Sequence, residues 1–130
     1  MSQRIMIVDD HAEMRGVLRE WLVARFPGES IVEAETAEQG LAMAVAADPD
    51  VVVMDFSLPG MNGIDATRRL RAMSPRVQVV MLTIWDSPSL RAAAAKAGAA
   101  AYVTKDRVDQ DLAPVLARLL AGLGGVGRCE

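Results

Sequence analysis

Residues 51–55 read Val-Val-Val-Met-Asp, an apolar run that ends in a single acid. A short and almost continuous apolar run predicts a strand buried on both faces, as in a parallel sheet covered by helices. In open parallel sheets, ligands bind beyond the carboxyl ends of the strands. The stretch therefore predicts an α/β fold and makes Asp55 the first candidate functional residue.

Four other runs resemble residues 51–54 and complete a set of five predicted strands. They cover residues 4–8, 31–34, 77–82 and 100–103. Helical patterns separate them, beginning with an apolar stripe over residues 14–22 whose members are three and four positions apart. Strand and helix alternate five times, which favours a parallel sheet with helices on both faces.

The last two helices carry boundary signals. Ser87 and Pro88 are typical of the first positions of a helix, and Gly98 is typical of its end. A final apolar stripe covers residues 108–119, but Pro114 interrupts it. Because proline lacks an amide proton and crowds the preceding turn, we expect a late start or a kink there.

The bulk composition limits the function. The 130 residues fit one domain, which we place at residues 1–121, followed by a flexible tail or truncated linker at 122–130. A net charge of −3 offers no basic face for direct nucleic-acid binding. The single Cys129 gives no disulfide framework, and no stretch approaches the roughly 20 apolar residues that span a membrane. We expect a cytoplasmic protein.

Polar side chains stand at the ends of four predicted strands. Asp9 and Asp10 follow the first strand, Thr83 ends the fourth and Lys105 follows the fifth. If the first and third strands are neighbours, all of them converge with Asp55 at one edge of the sheet. Each residue alone has an ordinary interpretation, such as an acid that caps a helix or a lysine at the surface. Their joint placement predicts a site.

Crowded carboxylates repel one another, and a hard cation with oxygen ligands relieves that repulsion. Mg²⁺ (or Mn²⁺) suits a site that offers few carboxylates plus water. Such a cation also neutralises phosphoryl oxygens, so that a carboxylate can attack phosphorus. A lysine can supply positive charge to the transferred group and a threonine hydroxyl can donate a hydrogen bond to it.

Several motifs together carry a family resemblance. They are Val8-Asp9-Asp10, Met54-Asp55, residues 58–63 (LPGMNG), residues 81–83 (MLT) and residues 101–105 (AYVTK). With them the chain resembles the receiver domains of bacterial response regulators over residues 3–121. The Asp-Asp-His run at 9–11 resembles the corresponding residues of the NarL/FixJ-type subfamily. The resemblance implies a CheY-like, flavodoxin-like (βα)5 three-layer sandwich with a five-stranded parallel sheet of order 2-1-3-4-5.

The resemblance implies a phosphoacceptor and its metal ligands. Asp55 would accept the phosphoryl group. Asp10 and Asp55 would bind the metal directly, together with the backbone carbonyl of Ser57, and Asp9 would bind it directly or through water. His11 is expected to be a capping or surface residue rather than a catalyst.

The resemblance also implies a switch. Thr83 and Lys105 would hold the phosphoryl oxygens. Tyr102 would turn inward as Thr83 moves toward the phosphate, although a half-buried strand aromatic is the ordinary interpretation of that residue. The face formed by the fourth helix, fifth strand and fifth helix would carry the output.

The implied partners are a sensor histidine kinase or phosphotransfer protein and a phosphorylation-dependent second copy of the chain. The chain would be a signalling switch that catalyses its own phosphorylation and dephosphorylation, not an enzyme in the ordinary sense. NarL/FixJ-type relatives usually add a helix-turn-helix domain. We therefore expect either a free-standing receiver or the receiver part of a longer transcriptional regulator.

Three positions depart from the common receiver pattern. Ile84 and Trp85 are bulky near the expected path of the attacking water, which leads to the hypothesis of a long-lived phosphorylated state. Asp106 stands where many receivers have proline. Since a cis bond without proline costs about 3 kcal/mol, the geometry of that loop is left open.

Other functions are less consistent with the sequence. A phosphatase with an aspartyl nucleophile commonly has a second acid two positions later, where this chain has Ser57. A dinucleotide-binding fold would have glycines in the first strand-to-helix loop. The remaining alternative is a phosphorylation-independent, receiver-like interaction module. Degenerate members of that kind typically lose an acid, the threonine or the lysine, and this chain keeps all of them.

Overall fold

The computed structural model describes the backbone of residues 3–129 and the side chains of residues 3–122. Strands and helices alternate along it. The strands are β1 (Arg4–Val8), β2 (Ser30–Ala34), β3 (Val51–Asp55), β4 (Gln78–Thr83) and β5 (Ala101–Thr104). The α-helices are α1 (Ala12–Arg25), α2 (Ala37–Ala47), α3 (Gly63–Met73), α4 (Pro88–Ala97) and α5 (Ala113–Cys129). All five predicted strands are present, each within one residue of its predicted bounds.

The five strands form one parallel sheet in the order β2-β1-β3-β4-β5, which confirms the order implied by the resemblance. β1 and β3 are neighbours, and Val8 pairs with Met54. Asp9 and Asp55 are the next residues on these two strands, so they reach the same edge together. On its other side, Asp55 pairs with Leu82 of β4.

One apolar layer covers each face of the sheet. On one face, Met6 and the buried side chains of neighbouring strands that point the same way pack with Leu70 and other residues of α2, α3 and α4. On the other face, Ile5 and the buried side chains of neighbouring strands that point the same way pack with Leu22 of α1 and Leu116 of α5. Successive side chains of a strand point to opposite faces, so each central strand contributes to both layers. Burial of such a side chain contributes about 1.5–3 kcal/mol, which holds the strand ends in fixed positions.

The apolar stripe of α1 divides into two parts. Leu18 and Leu22 are buried in the core, whereas Met14 and Val17 are largely exposed. The exposed pair lies in the first turns of α1, beside the carboxyl edge of the sheet, where it lines a groove instead of the core.

The predicted signals at the last two helices are confirmed. Ser87 Oγ accepts a hydrogen bond from the Leu90 amide at 3.2 Å at the start of α4, and Gly98 ends that helix with a φ of +109°. Near Pro114 the α-helix does start late. A 3-10 turn (Lys105–Arg107) and a π-helical turn (Val108–Leu112) precede α5, whose first turn contains the proline.

The predicted division at residue 121 stays a prediction. The side chains of 123–130, which make up nearly all of the expected tail, lie outside the described residues. Among the residues that the structure describes, no helix combines the length and the apolar character needed to cross a bilayer.

Candidate functional site

A cluster of acids lies at the carboxyl edge of β1 and β3. Ligand atoms of Asp9, Asp10, His11 and Asp55 are all within 4.8 Å of one another. Asp9 and Asp55 are each only 1% exposed, whereas Asp10 and His11 reach solvent. The structure thus brings together the three acids that the sequence predicted would meet, and it adds a histidine to them.

The two buried carboxylates have oxygens that accept no hydrogen bond from the described residues. Asp9 Oδ1 accepts one from the His11 amide at 2.9 Å, but Asp9 Oδ2 accepts none. Lys105 Nζ lies 3.0 Å from Asp55 Oδ1 as an ion pair, in a direction that does not meet hydrogen-bond geometry, so both Asp55 oxygens keep open lone pairs. Buried polar atoms of this kind cost free energy unless a partner binds them. The oxygen donors therefore fit a hard divalent cation.

Burial raises the pKa of the Asp55 carboxyl above its ordinary value. The Lys105 ammonium opposes this rise in the pKa, first as a close donor to the carboxylate and then through its positive charge, while repulsion from Asp9 and Asp10 adds to the rise. The net direction is upward, because loss of hydration outweighs the single ion pair. The fold thus holds the ionised form of Asp55 at a cost in free energy, which a bound cation would reduce.

The loop after Asp55 is shaped by a close backbone approach at Gly63. Its amide donates a hydrogen bond to the Phe56 carbonyl at 2.9 Å, and a Cβ at this position would collide with the carbonyl oxygen of Asp55. Asn62 caps α3 directly before it. These contacts fix the loop that carries Ser57 two residues beyond Asp55. The role of the Ser57 carbonyl as a metal ligand stays a prediction.

The turn that carries the first two acids is held by Arg15. Its guanidinium donates to the Asp9 carbonyl oxygen at 2.6 Å and to Glu33 Oε1 at 2.9 Å, which ties the turn to β2. Arg19 contacts the other oxygen of Glu33 at 3.2 Å. No motif in the sequence signals the Arg15 contact, because the contact depends on which strand lies beside β1.

The other half of the site comes from β4 and the strand beside it. Thr83 is buried at the end of β4, and its Oγ1 accepts a hydrogen bond from the Trp85 amide at 3.1 Å. The Tyr102 hydroxyl donates to the Trp85 carbonyl oxygen at 2.5 Å. The backbone of Trp85 therefore links the threonine to the tyrosine. Sequence reasoning paired these two residues by resemblance but missed the residue that connects them.

The surroundings of Tyr102 are partly apolar and partly charged. Its ring packs against the core layer of α2, α3 and α4, and the Arg91 guanidinium lies 4.4 Å from the ring centre. Ile84 is 63% exposed and Trp85 is 52% exposed, so both side chains present more than half of their surface to solvent.

The loop after β5 brings Lys105 to the acids without a proline. The described residues contain no cis peptide bond, and the bond between Lys105 and Asp106 is trans like the rest. The lysine nevertheless reaches Asp55 at ion-pair distance. The departure at Asp106 therefore leaves the position of the lysine intact.

An apolar groove adjoins the acid cluster on the α1 side. It has a volume of about 190 Å³; α1 contributes Met14, Val17 and Trp21, and Leu82 contributes part of the wall. Lys105 lines the groove and also pairs with Asp55. A molecule in this groove would therefore lie beside the phosphoacceptor candidate.

Comparisons with known proteins agree with the fold. The profile of the response regulator receiver domain matches residues 5–117. The nitrate/nitrite response regulator protein NarL of Escherichia coli strain K12 is 33% identical over 119 residues, which cover 91% of this chain and 55% of that protein. The response regulator GacA of Pseudomonas aeruginosa is 33% identical over 121 residues, 92% of this chain and 56% of that protein. The chain spans about half the length of the curated relatives it matches.

Solved structures give the same picture. A LuxR-family two-component response regulator from Aurantimonas sp. SI85-9A1 superposes with a TM-score of 0.86 and 36% identity, covering 94% of this chain and 87% of that one. A CheY-like response regulator receiver domain protein from Methanospirillum hungatei JF-1 gives a TM-score of 0.87 at 26% identity, covering 96% of this chain and 98% of that one. Both likenesses cover more than nine tenths of this chain.

Proposed function

Because the chain belongs to the response regulator receiver domain family of two-component systems, we propose that it is a phosphorylation switch whose acceptor is Asp55. The observation that carries the proposal is the state of that carboxylate. It is buried, both of its oxygens have open lone pairs, and Lys105 Nζ lies 3.0 Å away. A buried carboxylate with a cation on one side and further acids on the other is suited to attack phosphorus once the local charge is balanced.

Asp9, Asp10 and Asp55, together with the Ser57 carbonyl, would hold the divalent cation, Mg²⁺ or Mn²⁺, that supports the transfer. A cation held there would neutralise charge on the phosphoryl oxygens during transfer. An oxygen of Asp55 forms the new bond to phosphorus as the bond to the donor breaks, and the electron pair of that bond leaves with the donor.

Lys105 and Thr83 receive the transferred group. The lysine ammonium shifts from the free carboxylate to a phosphoryl oxygen, where its charge is again balanced. Thr83 Oγ1 accepts a hydrogen bond from the Trp85 amide, so the proton of the hydroxyl is available to a second phosphoryl oxygen. Hydrolysis of the acyl phosphate by water later resets the switch.

The switch reaches the surface through Trp85. Movement of Thr83 toward the phosphoryl group changes its bond with the Trp85 amide, and the Trp85 carbonyl in turn holds the Tyr102 hydroxyl. The tyrosine then repacks, and the face formed by α4, β5 and α5 changes shape. The two hydrogen bonds that meet at one residue support this route.

The phosphodonor is a sensor histidine kinase or a phosphotransfer protein in the cytoplasm. The groove supports a protein as the donor, because it has apolar walls and because Lys105, which also lines it, pairs with Asp55. The output is control of transcription, through a phosphorylation-dependent homodimer and a helix-turn-helix domain joined beyond this chain. This chain itself makes no direct contact with DNA. The competing function is an interaction module that signals without phosphate.

Incubation with acetyl phosphate and Mg²⁺, followed by intact mass measurement, tests the switch. We expect the wild type to gain one phosphoryl group and Asp55→Asn to gain none. Asp48→Asn is the matched control, since Asp48 is an exposed acid whose left-handed backbone also suits asparagine. A wild type that stays unmodified with acetyl phosphate and with a panel of phosphorylated kinases would favour the interaction module.

A further inference from the structure

We propose that His11 supplies an imidazole ligand to the acid cluster, so that this site prefers first-row transition ions such as Mn²⁺ and Co²⁺ over Mg²⁺. The inference rests on the proposed function, because it concerns the cation of the same site. The inference specifies which ions the site prefers, and it adds one nitrogen ligand to the oxygen ligands of the three acids.

The position of the imidazole carries the inference. His11 Nδ1 lies 3.3 Å from Asp10 Oδ1 and 3.6 Å from Asp9 Oδ1. The ligand atoms of all four residues, Asp55 included, are within 4.8 Å of one another. Two ligands on opposite sides of one ion, each with a bond of about 2.1 Å, are about 4.2 Å apart. Small side-chain rotations therefore suffice to bring the nitrogen and the carboxylate oxygens onto one ion.

The buried acids provide independent evidence that a ligand binds here. Asp9 is 1% exposed, and its Oδ2 accepts no hydrogen bond from the described residues. Its other oxygen is bound by the His11 amide at 2.9 Å, which fixes the histidine backbone beside the cluster. The buried carboxylate of Asp9 and the imidazole of His11 thus come from one short turn.

Apart from its approach to Asp9 and Asp10, the His11 side chain makes no hydrogen bond or ion pair among the described residues. It stands at the N-cap position of α1, but its side chain makes no capping hydrogen bond, and 71% of the side chain is exposed. The expectation of a capping or surface residue is met by an exposed side chain at the N-cap position. An exposed imidazole that leans toward two carboxylates is free to bind an ion without breaking a packing contact.

The chemistry of imidazole sets the metal preference. Mg²⁺ strongly prefers oxygen ligands and keeps much of its water, so an added nitrogen gains it little. Imidazole suits borderline ions of the first transition row, whose affinities rise from Mn²⁺ through Co²⁺. The oxygen cluster thus serves both kinds of ion, and the histidine benefits only the second kind.

Metal titrations of tag-free protein separate these contributions. In calorimetric titrations with Co²⁺ and with Mg²⁺, we expect His11→Ala to weaken Co²⁺ binding by at least about tenfold, the lower end of what loss of even an outer-shell partner costs at metal sites. Binding of Mg²⁺ should change by less than about twofold, since the loss of an imidazole that Mg²⁺ does not use leaves its oxygen ligands in place. His11→Gln should behave like His11→Ala, and Glu13→Ala, a change of an exposed acid on the same turn of helix, should match the wild type.

Pulsed electron paramagnetic resonance gives a readout that does not depend on affinity. The chain contains a single histidine, so coupling between bound Mn²⁺ and a ¹⁵N-labelled histidine nitrogen can arise only from His11. Absence of that coupling, together with an unchanged ratio of Co²⁺ to Mg²⁺ affinity in His11→Ala, would overturn the inference and leave the acid site intact. A wild type that binds neither ion would overturn both the inference and the metal part of the proposed function.

Discussion

At the tips of β1 and β3, Asp9 and Asp55 are buried, and three of their four carboxylate oxygens accept no hydrogen bond from the described residues. At the tips of β4 and β5, Thr83 and Tyr102 are both hydrogen-bonded, through the backbone of one residue, Trp85. In the β1–β3 half, the fold therefore holds buried charge without enough hydrogen-bond partners, which is electrostatically unfavourable. In the β4–β5 half, these two side chains have their hydrogen-bond partners. We infer that a ligand acts first on the β1–β3 half, and that the β4–β5 half responds to it.

Lys105 is the contact that crosses between the two halves, so its removal should have the largest effect. Lys105→Ala takes away the charge that faces Asp55 and would stabilise the transferred group. We expect phosphorylation by acetyl phosphate to slow by about 10²- to 10³-fold, as for the loss of one donor at a preorganised anionic transition state. Time courses of intact mass measure this rate. Lys96→Ala, a change at an exposed lysine of α4, is the control, and an equal effect of both changes would contradict the crossing role.

Magnesium should remove most of the electrostatic strain in the β1–β3 half. At a concentration about 100-fold above its Kd, a ligand stabilises the folded state by about 2.7 kcal/mol. For a domain of this size that corresponds to a rise of roughly 8–13 °C in melting temperature. Asp10→Asn should reduce the rise, because it removes a ligand but little of the fold. A melting temperature that ignores Mg²⁺ in the wild type would show that the unpaired oxygens are not a cation site.

Without a cation, the β1–β3 half should become more stable when Asp55 loses its charge. Burial raises the folded-state pKa of Asp55 above its unfolded value, so protonation is favoured in the folded state. Stability from this group is present at acid pH and is lost as the pH rises through the folded pKa. In chelator, Asp55→Asn should therefore melt higher than the wild type at neutral pH, with the difference shrinking toward acid pH. Thermal melts over a pH series measure this difference in melting temperature. An Asp55→Asn variant that is less stable than the wild type at neutral pH would show that the charge on Asp55 does not destabilise the fold.

The smallest effect should come from the exposed side chains of the β4–β5 half. Trp85→Ala keeps the backbone hydrogen bonds to Thr83 and Tyr102 but removes the indole. We expect dephosphorylation to accelerate by less than about fivefold, which corresponds to under 1 kcal/mol of barrier, because the indole already has half of its surface in solvent. Loss of the mass increment over time after removal of acetyl phosphate measures the rate. An unchanged or slower rate would reject the hypothesis that Trp85 shields the acyl phosphate from water.

The sequence predicted those parts of the site that follow from strand ends. Apolar runs with an acid, a threonine or a lysine at their carboxyl ends fixed Asp9, Asp10, Asp55 and Thr83 at one edge, because parallel strands end together. Lys105 required only one further residue of loop. The apolar pattern and the rule that parallel strands end together therefore predicted that these residues converge, provided that β1 and β3 are neighbours. The family resemblance implied that they are.

The parts that sequence reasoning missed depend on the path of loops. The clamp from Arg15 to the Asp9 carbonyl requires that β2 lie beside β1, and the role of Gly63 requires a helix start pressed against Asp55. The link through Trp85 uses backbone atoms, which every residue has, so no residue type signals it. The partial exposure of the α1 stripe follows from where that helix leaves the edge of the sheet.

The hydrogen bonds at Trp85 have a practical consequence for observing this protein in solution. The chain contains two tryptophans, Trp21 and Trp85. Trp21 lines the groove on the α1 side, and the backbone of Trp85 is hydrogen-bonded to the side chains of Thr83 and Tyr102. The two tryptophans thus belong to different parts of the site, and single-tryptophan versions would give each part its own fluorescence signal. Arrival of a protein in the groove and rearrangement of the output face could then be timed separately, without any attached dye.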